Sequence, residues 1–214
     1  SVISVPYSNA TLTVEDVTLE TTGDYGIATN GSNTGINITL NDSSIKAPNG
    51  VGVYFPSTGS LTINGGSILA NTGVQVSAGS MTITGGSITA TGTSTEDVSS
   101  GSILDGAAVS IIARGGYGAL GTLSISGGTF ISASGVAAVQ AYSIDNDVKG
   151  DWTRDGFITG GSFNNIPEDM AKLCAEGYTY TMPTDDDPMY YVVKADEEQI
   201  DVKRSLTLGN TLIM

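Results

Sequence analysis

The 214-residue chain contains no histidine and a single cysteine, Cys174. Without histidine, a Ser-His-Asp triad and every site that needs an imidazole acid, base or metal ligand are excluded. One cysteine cannot form an internal disulfide, so the fold must depend on packing alone. We expect Cys174 to be a small core residue, because it lies with Met170 and Leu173 on the apolar side of a predicted helix.

Charge is also scarce, and it is mostly of one sign. Only 14% of the residues are charged, and 22 acidic residues against 8 basic ones give a net charge of −14. Such a surface repels phosphate backbones and anionic lipids, so nucleic acid is not an expected partner. No apolar run approaches the ~20 residues that span a bilayer, so membrane insertion is not expected.

What is present is a repeat of alternating apolar and polar residues that closes on a glycine pair. One clear copy is Leu61–Ile68, with the sequence Leu-Thr-Ile-Asn-Gly-Gly-Ser-Ile, and the spacing to the next copy is the shortest in the chain. Further copies, two of them degenerate and one a residue out of step, lie at Leu12–Leu19, Ile38–Ile45, Met81–Ile88, Leu123–Phe130 and Phe157–Phe163. One apolar position recurs in all six, as Val14, Leu40, Ile63, Ile83, Ile125 and Ile158. A recurring period of this kind is typical of a solenoid.

Each copy is predicted to carry three short strands. Apolar residues alternate with polar ones, as in strands with one buried face, and Gly65-Gly66 supplies the positive backbone angles of a tight corner. A second apolar column follows a glycine in most copies, at Ile27, Val51, Val74, Ala107 and Val136. The pattern predicts an all-β, right-handed parallel β-helix of about six coils, while an antiparallel sandwich of short strands remains the alternative.

The chain divides into three predicted parts. Residues 1–163 form the parallel β-helix, 164–200 a capping helix and β-hairpin, and 201–214 a strand interpreted as the start of a further domain. The helix is predicted over Ile166–Gly177, from Pro167 near its start and the glycine after its end. Strands at Tyr178–Thr181 and Met189–Lys194 are predicted to form the hairpin that covers the open end of the stack.

These motifs resemble a known family. The sequences Ile-Ser-Gly-Gly-Thr-Phe and Ile-Thr-Gly-Gly-Ser-Phe, followed by a short helix and Glu-Gly-Tyr-Thr-Tyr, resemble the β-helical repeat modules of large surface-anchored proteins of gut Firmicutes. More distantly they are similar to the pectate-lyase-like β-helix superfamily. The resemblance covers roughly residues 10 to 200. It implies an extracellular, cell-wall-associated bacterial parent with other domains in the same chain, and it specifies the fold better than any activity.

Carboxylates that could serve catalysis or bind a metal are restricted to a few segments. Residues 43–95 contain no Asp or Glu. The acidic stretch 145–155 could wrap Ca²⁺ through Asp145, Asp147, Asp151 and Asp155, although it departs from the EF-hand pattern and a solvated loop remains the alternative. Asp145, Asp151 and Arg154 are the only constellation that suits a polysaccharide lyase or hydrolase. No other cofactor is indicated.

The turns after the third strand of successive copies grow along the chain and hold most of its aromatic residues. Aromatic rings stack on sugars and flat apolar patches, and arginine adds planar donors. The candidate ligand-binding residues are Tyr54, Phe55, Arg114, Tyr117, Tyr142, Trp152 and Arg154. The alternative is that these rings pack each loop against the solenoid. If they are exposed, the edge is predicted to bind a glycan or a host or bacterial surface protein.

Ranks of hydroxyl side chains suggest a third kind of surface. Thr62, Thr82 and Ser124 occupy equivalent outward positions of successive first strands, as ice-binding proteins arrange them, although Glu15 and Asn41 interrupt such ranks. The sequence therefore predicts first a non-catalytic surface module for adhesion, ligand binding or spacing. The second hypothesis is a β-helical polysaccharide lyase or hydrolase, and the third is ice binding.

Overall fold

The computed structural model describes residues 1–93, 101–151 and 155–196. Within them the protein is all-β with parallel sheets and contains one short helix. Trp152, Arg154 and the predicted strand at 201–214 lie outside the described residues. No helix in the described ranges is long and apolar enough to cross a membrane.

The strands are short, and all but two precede the helix. In chain order the elements are β1 (Ile3–Val5), β2 (Thr11–Glu15), β3 (Thr18–Glu20), β4 (Tyr25–Thr29), β5 (Ile36–Asn41), β6 (Ser44–Phe55), β7 (Gly59–Ile63), β8 (Ser67–Val76), β9 (Gly79–Ile83), β10 (Ser87–Ala90), β11 (Val109–Arg114), β12 (Leu120–Ile125), β13 (Thr129–Ile131), β14 (Val139–Asp145), β15 (Val148–Asp151), β16 (Ser162–Phe163), α1 (Met170–Leu173), β17 (Tyr178–Thr181) and β18 (Tyr190–Lys194).

The smaller sheet contains five parallel strands in the order β12-β9-β7-β5-β2. It confirms the predicted alignment of the repeat copies. Each member of the first apolar column pairs in parallel with the next, in the order Val14, Leu40, Ile63, Ile83, Ile125 and Ile158. All six side chains are buried in one continuous core, which explains why the apolar character of this position is kept in every copy.

The larger sheet contains 13 strands and shows that the second apolar column was aligned wrongly. Ile27 pairs with Val53 rather than Val51, and Val74 pairs with Val109 rather than Ala107. The glycine equivalent to Gly26 and Gly73 is therefore Gly52, which precedes Val53, and not Gly50. A side chain at Gly52 would meet the Gly73 carbonyl oxygen at 2.6 Å, so neighbouring strands approach closely at this position.

The predicted glycine corner is confirmed in the later copies. Gly66, Gly86, Gly128 and Gly161, the second glycine of each pair, have φ between 84° and 108°. In the first two copies Asp16 and Asp42 take positive φ instead, one position earlier. Aspartate is among the few residues with a side chain that enter this region at low cost, so these degenerate copies can still turn.

The C-terminal segment contains the predicted hairpin and a shorter helix than expected. β17 and β18 pair antiparallel, and β18 also pairs antiparallel with β16 at the end of the larger sheet. The helix α1 is four residues long, and Pro167 and the acidic residues after it precede the helix. Cys174 is buried against the core, as predicted. The rings of Phe130 and Phe163 stack 4.9 Å apart beneath this end.

Candidate binding groove

Residues 145–151 of the acidic stretch considered for Ca²⁺ belong to a tight β-hairpin rather than to a wrapped loop. β14 and β15 pair antiparallel, with Asp145 opposite Val148. The two residues between them, Asn146 and Asp147, have φ of 49° and 58°. Two positive φ angles in a two-residue connection are typical of a type I′ turn, for which Asn and Asp are favoured. The local sequence is therefore explained by turn chemistry.

The hairpin separates the aspartates that were grouped as possible metal ligands. Asp151 lies opposite Tyr142, whereas Asp145 is three residues further along β14 and so points to the other face. Asp147 is 3.7 Å from the Arg114 guanidinium. Among the residues that the structure describes, no three His, Cys, Asp or Glu side chains are grouped as metal ligands would be. The four aspartates are not brought together.

An open groove of about 950 Å³ lies on the Tyr142 face of this hairpin. The hairpin contributes Lys149, Gly150 and Asp151 to its lining, and the segment at the start of α1 contributes residues 167–169 and Lys172. Gln140 and residues 135–137 line the rest. Carboxylates, ammonium groups and an amide thus face one concavity whose volume is within the ~300–1,000 Å³ of small-molecule sites.

Tyr142, a predicted ligand-binding residue, is buried beneath this groove. Its hydroxyl donates a hydrogen bond of 3.1 Å to Asp105, and the Lys149 ammonium lies 4.1 Å from the centre of its ring. A sugar cannot stack on that ring unless Lys149 moves away. The ring instead holds the Lys149 ammonium at the wall of the groove by a cation–π contact.

Asp105 is the centre of a buried polar network that sequence reasoning missed. Its carboxylate accepts hydrogen bonds from the hydroxyls of Thr72, Ser110 and Tyr142 and from the Ala107 backbone N–H. The Thr72 hydroxyl in turn accepts the Asp105 backbone N–H at 2.9 Å. Asp105 is 3% exposed, so the cost of burying its carboxylate is offset by four donors.

Asp105 belongs to an insertion that crosses the outer face of the larger sheet. We call residues Gly101–Gly106 the strap. The Ser102 and Tyr25 hydroxyls are 2.8 Å apart, which joins the strap to β4. Ile103 packs with Ile112, Tyr142 and Ile144, and Leu104 packs against the cluster of Ala28, Val51 and Tyr54. The strap therefore covers an apolar and aromatic face outside the main core.

The other predicted binding residues are distributed between the core, the strap and a second concavity. Phe55 was wrongly placed at the surface, because the alternation after Gly52 points it inward and it is fully buried. Tyr54 stacks on Tyr25 beneath the strap, and its hydroxyl is 3.3 Å from that of Tyr117. Arg114 lies over the Tyr117 ring.

Arg114, Tyr117 and Asp145 line the second concavity, of about 500 Å³. It lies on the side of the hairpin that faces away from the groove. Only 10% of the Arg114 side chain is exposed, so its charge is largely held within the protein. The five candidates within the described residues thus do not form one continuous aromatic edge.

The outer face of the five-stranded sheet carries the predicted hydroxyl ranks. Thr13, Thr39, Thr62, Thr82 and Ser124 occupy one unbroken rank. The next rank begins with Glu15, Asn41 and Asn64, and the Asn64 amide donates to Asn41 at 2.9 Å. Only one full rank therefore consists of hydroxyls.

The buried tyrosines predict a loss of stability at alkaline pH. Burial, reinforced by the negative charge of Asp105, raises the pKa of Tyr142 above its ordinary value near 10. Burial, with the hydrogen bond to Tyr117, does the same for the pKa of Tyr54. Just above pH 10 these phenols ionise in the unfolded chain but not in the folded protein. The free energy of unfolding therefore falls by about 1.4 kcal/mol per pH unit for each tyrosine.

Urea unfolding between pH 9 and 11 measures this loss. Tyr142→Phe is expected to remove about half of the tyrosine-dependent fall of the unfolding free energy with pH. Tyr7→Phe, at a residue that is 76% exposed, should leave this fall unchanged. Equal slopes for the wild type and Tyr142→Phe would show that the phenol ionises as freely in the folded protein as in the unfolded chain.

Comparison of the chain with protein-family models, with curated proteins and with solved structures finds no match.

Proposed function

We propose that the chain is a right-handed parallel β-helix of about six coils, from a large extracellular, cell-wall-associated bacterial protein. The parallel pairing of one position in all six repeat copies supports the coils. The strong preference of parallel crossovers for one hand supports the right-handed sense. The pairing of β16 with β18 supports a cap, because it continues the hydrogen bonding of the last repeat copy into the hairpin.

Within that parent protein, the module serves adhesion by binding a glycan or a surface protein in the groove, without catalysis. The observation that carries this proposal is the groove itself. Lys149 and Lys172 offer donors, Asp151, Glu168 and Asp169 offer acceptors, and the Gln140 amide offers both. Sugar hydroxyls and peptide backbones both need donors and acceptors close together, so either class of ligand matches this lining.

The predicted pair Asp145 and Asp151 gives a polysaccharide-cleaving function less support than the groove gives binding, although Asp151 shares the groove with Glu168 and Asp169. A glycosidase needs two carboxyl groups that flank one bond, about 5 to 9.5 Å apart and facing each other. Asp145 and Asp151 point to opposite faces of the β14–β15 hairpin and line different concavities. Ice binding has less support as well, because only one of the hydroxyl ranks is free of acidic and amide side chains.

A covalent block of the groove tests the proposed site. Because Cys174 is buried, a cysteine introduced at exposed Lys172 can be labelled selectively with a bulky maleimide. The matched control is Lys46→Cys with the same label, on β6 and away from the groove. Each protein is screened, with and without Ca²⁺, against an oligosaccharide array and a displayed library of random nine-residue peptides.

Binding that the Lys172-labelled protein loses and the Lys46-labelled protein keeps is the expected result, with a reduction of at least tenfold. Binding that survives the block would move the site elsewhere on the molecule. A folded chain that binds neither probe would contradict the binding function and leave the module as a spacer.

A further inference from the structure

The outer face of the larger sheet shows a line of equivalent positions that ends in the groove. Ala28, Tyr54, Gln75, Ser110 and Gln140 pair in register across β4, β6, β8, β11 and β14. Paired residues of parallel strands point to the same side of the sheet. Gln75 and Gln140 therefore present the same amide on the same face, two strands or about 10 Å apart.

The Gln75 side chain forms hydrogen bonds with the backbone of the strap. Its side-chain nitrogen donates to the Gly101 carbonyl at 3.1 Å, and its side-chain oxygen accepts the Ile103 backbone N–H at 2.7 Å. One amide thus pairs with the carbonyl of one residue and the N–H of the residue two positions later. Gln75 is fully buried by this contact. The interaction does not depend on the side chains of the strap.

Gln140 is the equivalent position on β14, but no segment among the described residues pairs with its amide. Its side chain is half-buried, it lines the groove, and no described residue hydrogen-bonds its amide. Beside it, Val136, Ala137 and Pro167 supply an apolar surface. Next to Gln75, Ile103 of the strap packs on a comparable apolar surface, formed by Ile112, Tyr142 and Ile144.

We infer that the groove binds an extended polypeptide segment and that Gln140 pairs with its backbone as Gln75 pairs with the strap. This inference rests on the proposed binding function and selects a peptide over a glycan. The net charge of −14, and three carboxylates against two ammonium groups in the groove lining, favour a peptide that is neutral or basic.

The test uses peptides selected from the nine-residue library on the full chain. Gln140→Met keeps the length of the side chain but removes both hydrogen-bonding groups, and it should weaken binding about tenfold or more. Gln140→Glu, which keeps the acceptor and loses the donor, should also weaken binding of a neutral peptide. Glu15→Gln, at an exposed position of β2 in the five-stranded sheet and outside the groove, is the matched amide-for-acid control and should change the affinity of a neutral peptide less than threefold.

Methylation of single backbone nitrogens in the selected peptide separates backbone pairing from side-chain contacts. One N-methylated position should abolish most of the binding to the wild type but cause little further loss with Gln140→Met, because both changes remove the same hydrogen bond. If the losses of binding free energy from N-methylation and from Gln140→Met are additive at every peptide position, the proposed pairing is wrong.

The ligand class is decided by the same screen. Oligosaccharide binding that the groove block removes, without any peptide selected, would overturn this inference and leave the proposed function intact. A folded chain that binds neither oligosaccharides nor peptides would overturn both.

Discussion

Replacing Asp105 by alanine is expected to lower the free energy of unfolding by about 3–5 kcal/mol. The carboxylate accepts four hydrogen bonds in a site that is 3% exposed. Without it, the Ala107 N–H and three hydroxyls are left buried, and only the hydroxyls can turn toward other acceptors. Tyr142 also loses the contact that positions its ring beneath Lys149.

Chemical denaturation at neutral pH measures this loss. Asp185→Ala, in an exposed turn, is the matched control and should change stability by less than about 0.5 kcal/mol. Asp105→Asn should also be destabilising, because an amide nitrogen would face donors. A loss below 1 kcal/mol for Asp105→Ala would mean that the strap contributes little to the fold.

Replacing Gln75 by methionine is expected to cost about 2–4 kcal/mol. The methionine side chain has a similar length and fills the same space. It leaves the Gly101 carbonyl and the Ile103 N–H buried without their partner. The loss should appear as local opening of the strap at Gly101–Ile103, because Asp105 keeps its own hydrogen bonds to Thr72, Ser110 and Tyr142.

Amide exchange of Ile103, compared with that of Val74, follows this opening. In Gln75→Met, amide exchange at Ile103 should accelerate by at least a hundredfold. The exchange rate of Val74, inside the sheet, should change only as far as the global stability changes. Gln140→Met is the matched control, because the same change at a half-buried, unoccupied amide should leave stability nearly unaltered. Equal destabilisation by both substitutions would contradict the distinction between the two glutamines.

The core of the fold could be predicted because its physical signal is local. Val14, Leu40, Ile63 and their equivalents alternate with polar residues and precede a corner, formed by a glycine in the later copies and by an aspartate in the first two. These features are visible within eight residues. The second column could not be aligned in the same way. Gly50-Val51 and Gly52-Val53 both fit the local pattern, and only the pairing of Val53 with Ile27 and Val74 in the neighbouring strands selects the second.

The candidate site was only partly predictable for the same reason. The turn region around β14 and β15 was identified, and Tyr142 and Asp151 do lie at the groove. The strap was missed because its contacts are far apart in sequence and do not recur with the repeat. They join residues 101–105 to Tyr25, Thr72, Gln75 and Tyr142. Aromatic content marked Tyr54 and Phe55 as surface residues, whereas these rings fill space beneath the strap and in the core.

A ligand held in the groove between the β14–β15 hairpin and residues 167–172 should slow amide hydrogen exchange there. The measurement compares exchange of the full chain with and without the tightest peptide or oligosaccharide from the screen. Added protection is predicted within residues 135–151 and 166–173 and nowhere on the five-stranded sheet. Protection of β2, β5, β7, β9 and β12, which carry the hydroxyl ranks, with none at the hairpin, would mean that the ligand does not bind in the groove.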